Sequence, residues 1–261
     1  MGELFSNWLT QVLATVGCIY VFGLIVGFLG KIFYSGAGGA GYKLCVATGL
    51  IGTPIHELGH AFFCVVFGHK IVEMKLFQPN DEEGTLGYVN HSYNPRNIYH
   101  QIGNFFIGVG PILFGSAALL GLMYLLLPET FYTVSASVFN WNGTFDSIWV
   151  AFSELFKNIF AVENFSSWKF WVFLVLSCFI AIHMTLSPPD VKNSLVGTLY
   201  ILLLLLVANA ILYFVAYETM LVLTETLVGV GVTIACFLAI AALFASVMAI
   251  IGIVLKIVFR T

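Results

Sequence analysis

Six apolar stretches, near residues 8–30, 44–68, 102–127, 168–187, 194–217 and 227–258, set the first constraint on this chain. A helix crossing a hydrocarbon core takes about 20 mostly apolar residues, and each stretch is long enough. Of the 261 residues, 60% are hydrophobic and only 9% are charged. A water-facing domain carries about 25% charged residues, so lipid is the expected solvent for most of the surface. The expected fold is an all-α polytopic membrane protein with about six transmembrane helices. The last stretch is long enough to tilt or to project past the bilayer. The first reads as an uncleaved span, because no Lys or Arg precedes Lys31.

The net charge is -3 and the ten Lys and Arg are scattered, so no basic field exists to attract nucleic acid. Cys18, Cys45, Cys64, Cys178 and Cys236 all lie in apolar runs without a CxxC pair. They read as small packing residues, not as a disulfide framework.

The connections carry their own signals. Ser35 to Gly41 is Gly-rich and reads as a flexible connector; it lacks the Lys-Ser/Thr ending of a phosphate loop. Residues 69–77 and 85–93 alternate polar and apolar side chains around the turn cluster Pro79 to Gly84. That pattern predicts a membrane-associated β-hairpin after the second span, ended by Asn94-Pro95-Arg96-Asn97. From Ile148 to Phe160 the apolar residues fall at helical spacing, which predicts an interfacial amphipathic helix. Asn142 and Asn164 begin short glycosylation sequons, a pattern common by chance. A cytosolic N-terminus puts Lys70, Lys75, Arg96, Lys192, Lys256 and Arg260 inside and Lys31, Lys43, Lys157 and Lys169 outside. This small excess of inside charge sets the expected orientation.

The chemistry centres on His56-Glu57-Leu58-Gly59-His60, inside the second apolar stretch. Two histidines four residues apart share one face of a helix, one turn above the other, and can reach one zinc ion. Glu57 then projects beside the metal, where a carboxylate serves as general base on the water that zinc activates. Ionisable groups at membrane depth are expensive, about 2.5–3.5 kcal/mol each on insertion scales, and functional by default. The competing reading is a polar cluster that holds helices together.

Zinc needs a third protein ligand. The chain has three Asp residues: Asp81 in the hairpin turn beside Glu82 and Glu83, Asp146 in the aromatic-rich connection, and Asp190 after Ser187-Pro188-Pro189. The two prolines must break the helix, and broken backbone at membrane depth lines a cavity. Asp190 is the expected ligand, at the same membrane face as His56 and His60. His183, seven residues earlier, reads as a partner of a ligand in preference to a ligand itself, and equally as a buried His bonded to a neighbouring span. His69, His91 and His100 fall around the hairpin and read as surface residues.

These residues resemble the site-2 proteases, membrane-embedded zinc metalloproteases that cut substrate helices within or near the bilayer. The family's His-Glu-x-x-His is similar to His56–His60, its Gly-Pro motif to Gly108-Val109-Gly110-Pro111, and its zinc-binding Asp after a proline-rich break to Asp190. The likeness covers roughly residues 44–195 and includes the hairpin. It implies a first helix and connector over 1–43, a metalloprotease core over 44–195 and two further helices over 196–261. Val191 stands where the family often has Gly after the Asp, and His183 stands near an upstream Asn, which marks a divergent branch.

The implied activity is hydrolysis of peptide bonds in a transmembrane or membrane-associated protein, with His56, His60 and Asp190 on zinc and Glu57 as base. An unwound substrate needs its amides paired, and Thr85 to His91 is the candidate strand edge, with Gly87, Tyr88 and Val89 as substrate-binding residues. Two rivals stay open: a transporter or ion pathway using the same cluster, and an inactive relative acting as a binding partner.

Overall fold

The computed structural model describes residues 2–79, 84–139 and 145–259. The expected turn tip at Asp81, Glu82 and Glu83, the Asn142 sequon and Arg260 lie outside the described residues. Helix α1 (Gly2–Val12) passes through a π turn at Leu13–Gly17 into α2 (Cys18–Gly36), making one rod. The Gly-rich run is a tight corner, not a loose linker: a 3-10 turn at Gly38–Ala40 leads directly into α3 (Gly41–Val66). Gly38 takes φ +52°, which a side chain disfavours.

Helix α3 ends in a left-handed glycine cap. Gly68 has φ +70°, its N–H donates to Val65 O, and the His69 N–H donates to Cys64 O at 2.8 Å. This arrangement satisfies the last carbonyls of the helix and launches β1 (Lys70–Lys75). Strand β2 (Tyr88–Ser92) pairs with it antiparallel, Met74 opposite Val89 and Lys75 opposite Tyr88, with a bulge between Ile71 and Glu73. The expected hairpin is present, shorter in strand than the alternation predicted.

Helix α4 (Ile98–Leu126) begins at Asn97, whose side chain accepts from the Tyr99 N–H. Helices α5 (Pro128–Phe139), α6 (Phe145–Ile159) and α7 (Val162–Phe165) fill the long connection before α8 (Trp168–His183). Helix α9 (Pro188–Val215) follows the predicted break, and α10 (Tyr217–Phe259) closes the described chain. The helix over 148–160 exists, but its face needs amending. Leu155 and Ile159 of α6 are fully buried against the core that contains Phe170 and Phe173, while Trp149 and Phe156 stay exposed.

Four helices are long and apolar enough to cross a membrane: Gly2–Gly36, Ile98–Leu126, Pro188–Val215 and Tyr217–Val258. The six expected stretches thus divide. Helix α8 has only 16 residues, about 24 Å at the helical rise. Helix α3 has the length, but its polar residues lower its hydropathy.

Polarity inside the bundle is inverted relative to a water-soluble fold. Helix α9 buries Ser194, Gly197, Thr198 and Asn209 and exposes Leu199, Leu203, Val207, Ile211 and Phe214. Helix α3 likewise buries Thr48, Gly49, Gly52 and Thr53 and exposes Leu50, Phe62 and Val65. Small residues at the contacts let backbones approach, and large apolar ones outside suit a lipid solvent.

Three glycines set the geometry around the chemistry. A Cβ on Gly110 would lie 2.7 Å from Gly59 O, and one on Gly59 would lie 2.7 Å from the Gly110 carbonyl. Helices α3 and α4 therefore cross backbone to backbone at this point. A Cβ on Gly108 would lie 2.5 Å from Asp190 O and 2.6 Å from the Ser194 Cβ. One turn of α4 thus seats α3 on one side and the start of α9 on the other.

Candidate metal centre

That seating brings His56, His60 and Asp190 together. His60 Nε2 lies 3.2 Å from His56 Nε2 and 3.3 Å from Asp190 Oδ1. His56 Nε2 lies 3.9 Å from Asp190 Oδ2. Ligand atoms about 2.0–2.1 Å from a tetrahedral ion sit about 3.3 Å apart, so these edges have the size of one metal site.

The tautomers follow from the backbone. His56 Nδ1 lies 2.7 Å from His183 O, and His60 Nδ1 lies 2.7 Å from Ile107 O. A carbonyl oxygen only accepts, so both Nδ1 atoms carry the proton and both Nε2 atoms present lone pairs. Two lone pairs and a carboxylate oxygen pointing at one another repel unless a cation lies among them. The group can hold a metal ion. The expected His56, His60 and Asp190 are thus brought to one point.

Asp190 is held by the helix it opens. Ser187 caps α9 with Pro188 and Pro189 in the first turn. The Ser187 N–H donates to Asp190 Oδ2 at 2.9 Å, and the Asp190 N–H donates to Ser187 Oγ at 3.3 Å. This reciprocal capping box fixes the carboxylate, leaving Oδ1 toward His60.

Glu57 is 5% exposed and makes no hydrogen bond or salt bridge among the described residues. It lines a cavity of about 480 Å³ together with His56, His60 and Asp190. A Cβ on Gly87 would lie 2.9 Å from the Glu57 Cγ, so the chain entering β2 lies directly against this side chain. Gly87, Tyr88 and Val89, the expected substrate contacts, line the same cavity.

The His183 ring is not a ligand. Its Nε2 meets Thr48 Oγ1 at 3.0 Å and Tyr34 OH at 3.2 Å, away from the cluster. Its carbonyl, not its imidazole, is the partner of His56. Gly52 makes room for it, since a Cβ there would lie 2.6 Å from the His183 ring.

The histidines near the hairpin differ from their surface reading. His69 is 5% exposed and stacks on Tyr93. His91 lines the cavity with His56, His60 and Asp190, as do Asn90 and Asn193. Burial, with His69 and His60 nearby, pushes the His91 imidazole down to about 4, and burial also lowers His69. Sequence spacing gave no signal for these contacts, because His91 and Asn193 are distant in chain from the motif and flanked by ordinary polar residues. Compared with models of protein families, with curated proteins and with solved structures, the chain finds no significant match in any of the three.

Proposed function

We propose that the chain is a membrane-embedded zinc endopeptidase of the site-2 type. The observation that carries this reading is the convergence of three acceptor atoms, on His56, His60 and Asp190, beside a buried and unpartnered Glu57 in one cavity. Two imidazoles and a carboxylate form a donor set suited to catalytic zinc, with a position left for water or substrate. Bound there, the metal would supply Lewis acidity, polarising a substrate carbonyl and acidifying a water.

The chain's own residues do the rest. Glu57 takes a proton from the attacking water at its carboxylate and returns it to the leaving amine. The carbonyls of His183 and Ile107 hold the imidazoles in their ligating tautomer. Strand β2 has β1 as its one strand neighbour among the described residues. Its residues from Tyr88 to His91 line the cavity, where an unwound substrate segment can pair by main-chain hydrogen bonds. In this reading α3 joins the four long helices as a span, while α8 and α9 together make one broken pass antiparallel to α4, with Met184 beside Gly115 and Asp190 beside Gly108. The N-terminus is cytosolic and the cavity opens near the cytosolic face.

An ion pathway is the rival. A metal pathway needs successive ligand groups, whereas one group able to hold a metal ion is found among the described residues. The deciding experiment is metal analysis and cleavage of β-casein and of a reconstituted single-span helix, for wild type and Glu57→Gln. About one zinc per chain is expected in both, with cleavage lower by at least about 100-fold in the variant. Undiminished cleavage by Glu57→Gln would remove the mechanism. Zinc flux through sealed vesicles without cleavage would favour the rival.

A further inference from the structure

A hydrogen-bonded line of histidines ends in the cavity. His69 Nε2 lies 2.9 Å from His100 O. The carbonyl must accept, so His69 carries its proton on Nε2 and its Nδ1 is a lone pair. His69 Nδ1 lies 3.0 Å from His91 Nδ1. His91 must therefore donate from Nδ1, which leaves His91 Nε2 as an acceptor. That atom has no hydrogen-bond partner among the described residues, and His91 lines the cavity with Glu57, His56, His60 and Asp190. The far end is also fixed, for the Asn94 N–H donates to His100 Nδ1 at 3.1 Å.

We propose that His91 Nε2 is a substrate-binding acceptor that takes a main-chain N–H of the bound peptide, and that His69 is its positioning residue. The proposal rests on the peptidase reading for the nature of the ligand. Its chemistry is that of an extended peptide lying along β2: the amides that turn toward the cavity need acceptors, and one left unmet weakens binding. His91 stands on β2 itself, two residues beyond Val89, so strand pairing and this contact act on the same segment. A neutral imidazole with a locked tautomer accepts without bringing a charge into the cavity.

Two measurements decide it. The first reads the tautomer by nitrogen NMR of ¹⁵N-histidine-labelled, zinc-loaded protein at pH 7. His91 is expected to be protonated on Nδ1 and bare on Nε2. His69→Phe should mix the tautomers, and His69→Gln, which restores an acceptor, should keep them. A His91 protonated on Nε2 in the wild type overturns the relay. The second reads binding of a fluorescein-labelled peptide of mixed Ala, Leu and Gly to the Glu57→Gln protein, which is expected to hold zinc. Adding His91→Phe should weaken binding about 10-fold with zinc content unchanged. N-methylation of one peptide position should cost the same, and the two losses should not add. No binding, or binding indifferent to His91→Phe, overturns the contact. His91-dependent binding without any cleavage by the wild type would end the peptidase reading while leaving the contact in place. If the wild type cleaves, His91→Phe should raise KM about 10-fold and change kcat little.

Discussion

Two buried polar clusters sit in this bundle, and they are satisfied in opposite ways. At one end Gln11 and Asn209, both fully buried, exchange amide hydrogen bonds at 3.0 and 2.7 Å. Gln11 also donates to Thr224 Oγ1, and Asn209 donates to Leu205 O. Every strong donor finds an acceptor within the protein. The set ties α1, α9 and α10 together. At the other end the donors of His56 and His60 are used up on carbonyls, and what remains is a surplus of lone pairs around a cavity. A closed polar network holds helices; an open one with converging lone pairs suits a cation.

The largest separation between the two should come from metal analysis. His60→Ala and Asp190→Ala are each expected to lower zinc from about one per chain to near zero. Gln11→Leu should leave it at the wild-type value. Retention of full zinc by Asp190→Ala would displace the third ligand. Next comes the crossing of α3 and α4. Gly110→Ala places a methyl against the Gly59 backbone, so the helices must part and the His60–Ile107 hydrogen bond lengthen. Loss of such an outer hydrogen bond costs roughly 10–100-fold in metal affinity, which competition with a chelator would read. An unchanged affinity would mean that the backbone contact does not position His60.

Smaller effects are expected at the closed cluster. Gln11→Leu strands the Asn209 amide and should cost about 0.6–1.7 kcal/mol, the range for hydrogen bonds between membrane helices. The double change Gln11→Leu with Asn209→Leu should be less destabilising than the sum of the two single ones. Thermal unfolding in detergent checks both, and strict additivity would deny the pairing. The smallest effect concerns acid. The His91 imidazole is lowered from 6.5 to about 4, so the folded hairpin binds fewer protons than the opened one between these values. Its stability is full above about pH 6.5 and is lost as pH falls through about 4. Amide exchange in β1 and β2 should quicken several-fold over that window. Exchange around Gln11 and Asn209, where no group titrates, should not respond to the hairpin.

Much of this was legible because it is local. The four-residue spacing of His56 and His60 and the helix break at Pro188-Pro189 follow from helical geometry and proline chemistry, and both appear where expected. The hairpin followed from alternation. The number of long spans did not follow as simply. A window of apolar residues reads α8 as a span because it runs on past His183 through the extended Met184–Leu186. It starts the last helix near 227, missing the ten residues from Tyr217 that carry Glu218 and Glu225. The carbonyls of His183 and Ile107 left no trace in the sequence, since every residue has one. His69 and His91 read as surface residues because a hairpin exposes its flanks unless something packs on it; here α3 packs on both strands, and His100 and Gly103 of α4 meet His69.

The capping box at Ser187 and Asp190 makes one carboxylate serve two masters. The same side chain starts a 28-residue helix and faces the two imidazoles, so folding of the first turn of α9 and binding of an ion there would be thermodynamically linked. Whatever tightens one must tighten the other by the same factor. Ser187 touches no ligand atom but Asp190's, yet Ser187→Ala should loosen the ion; conversely, a chelator should fray the start of α9. Order in the first turn of the helix would then report whether the site is occupied.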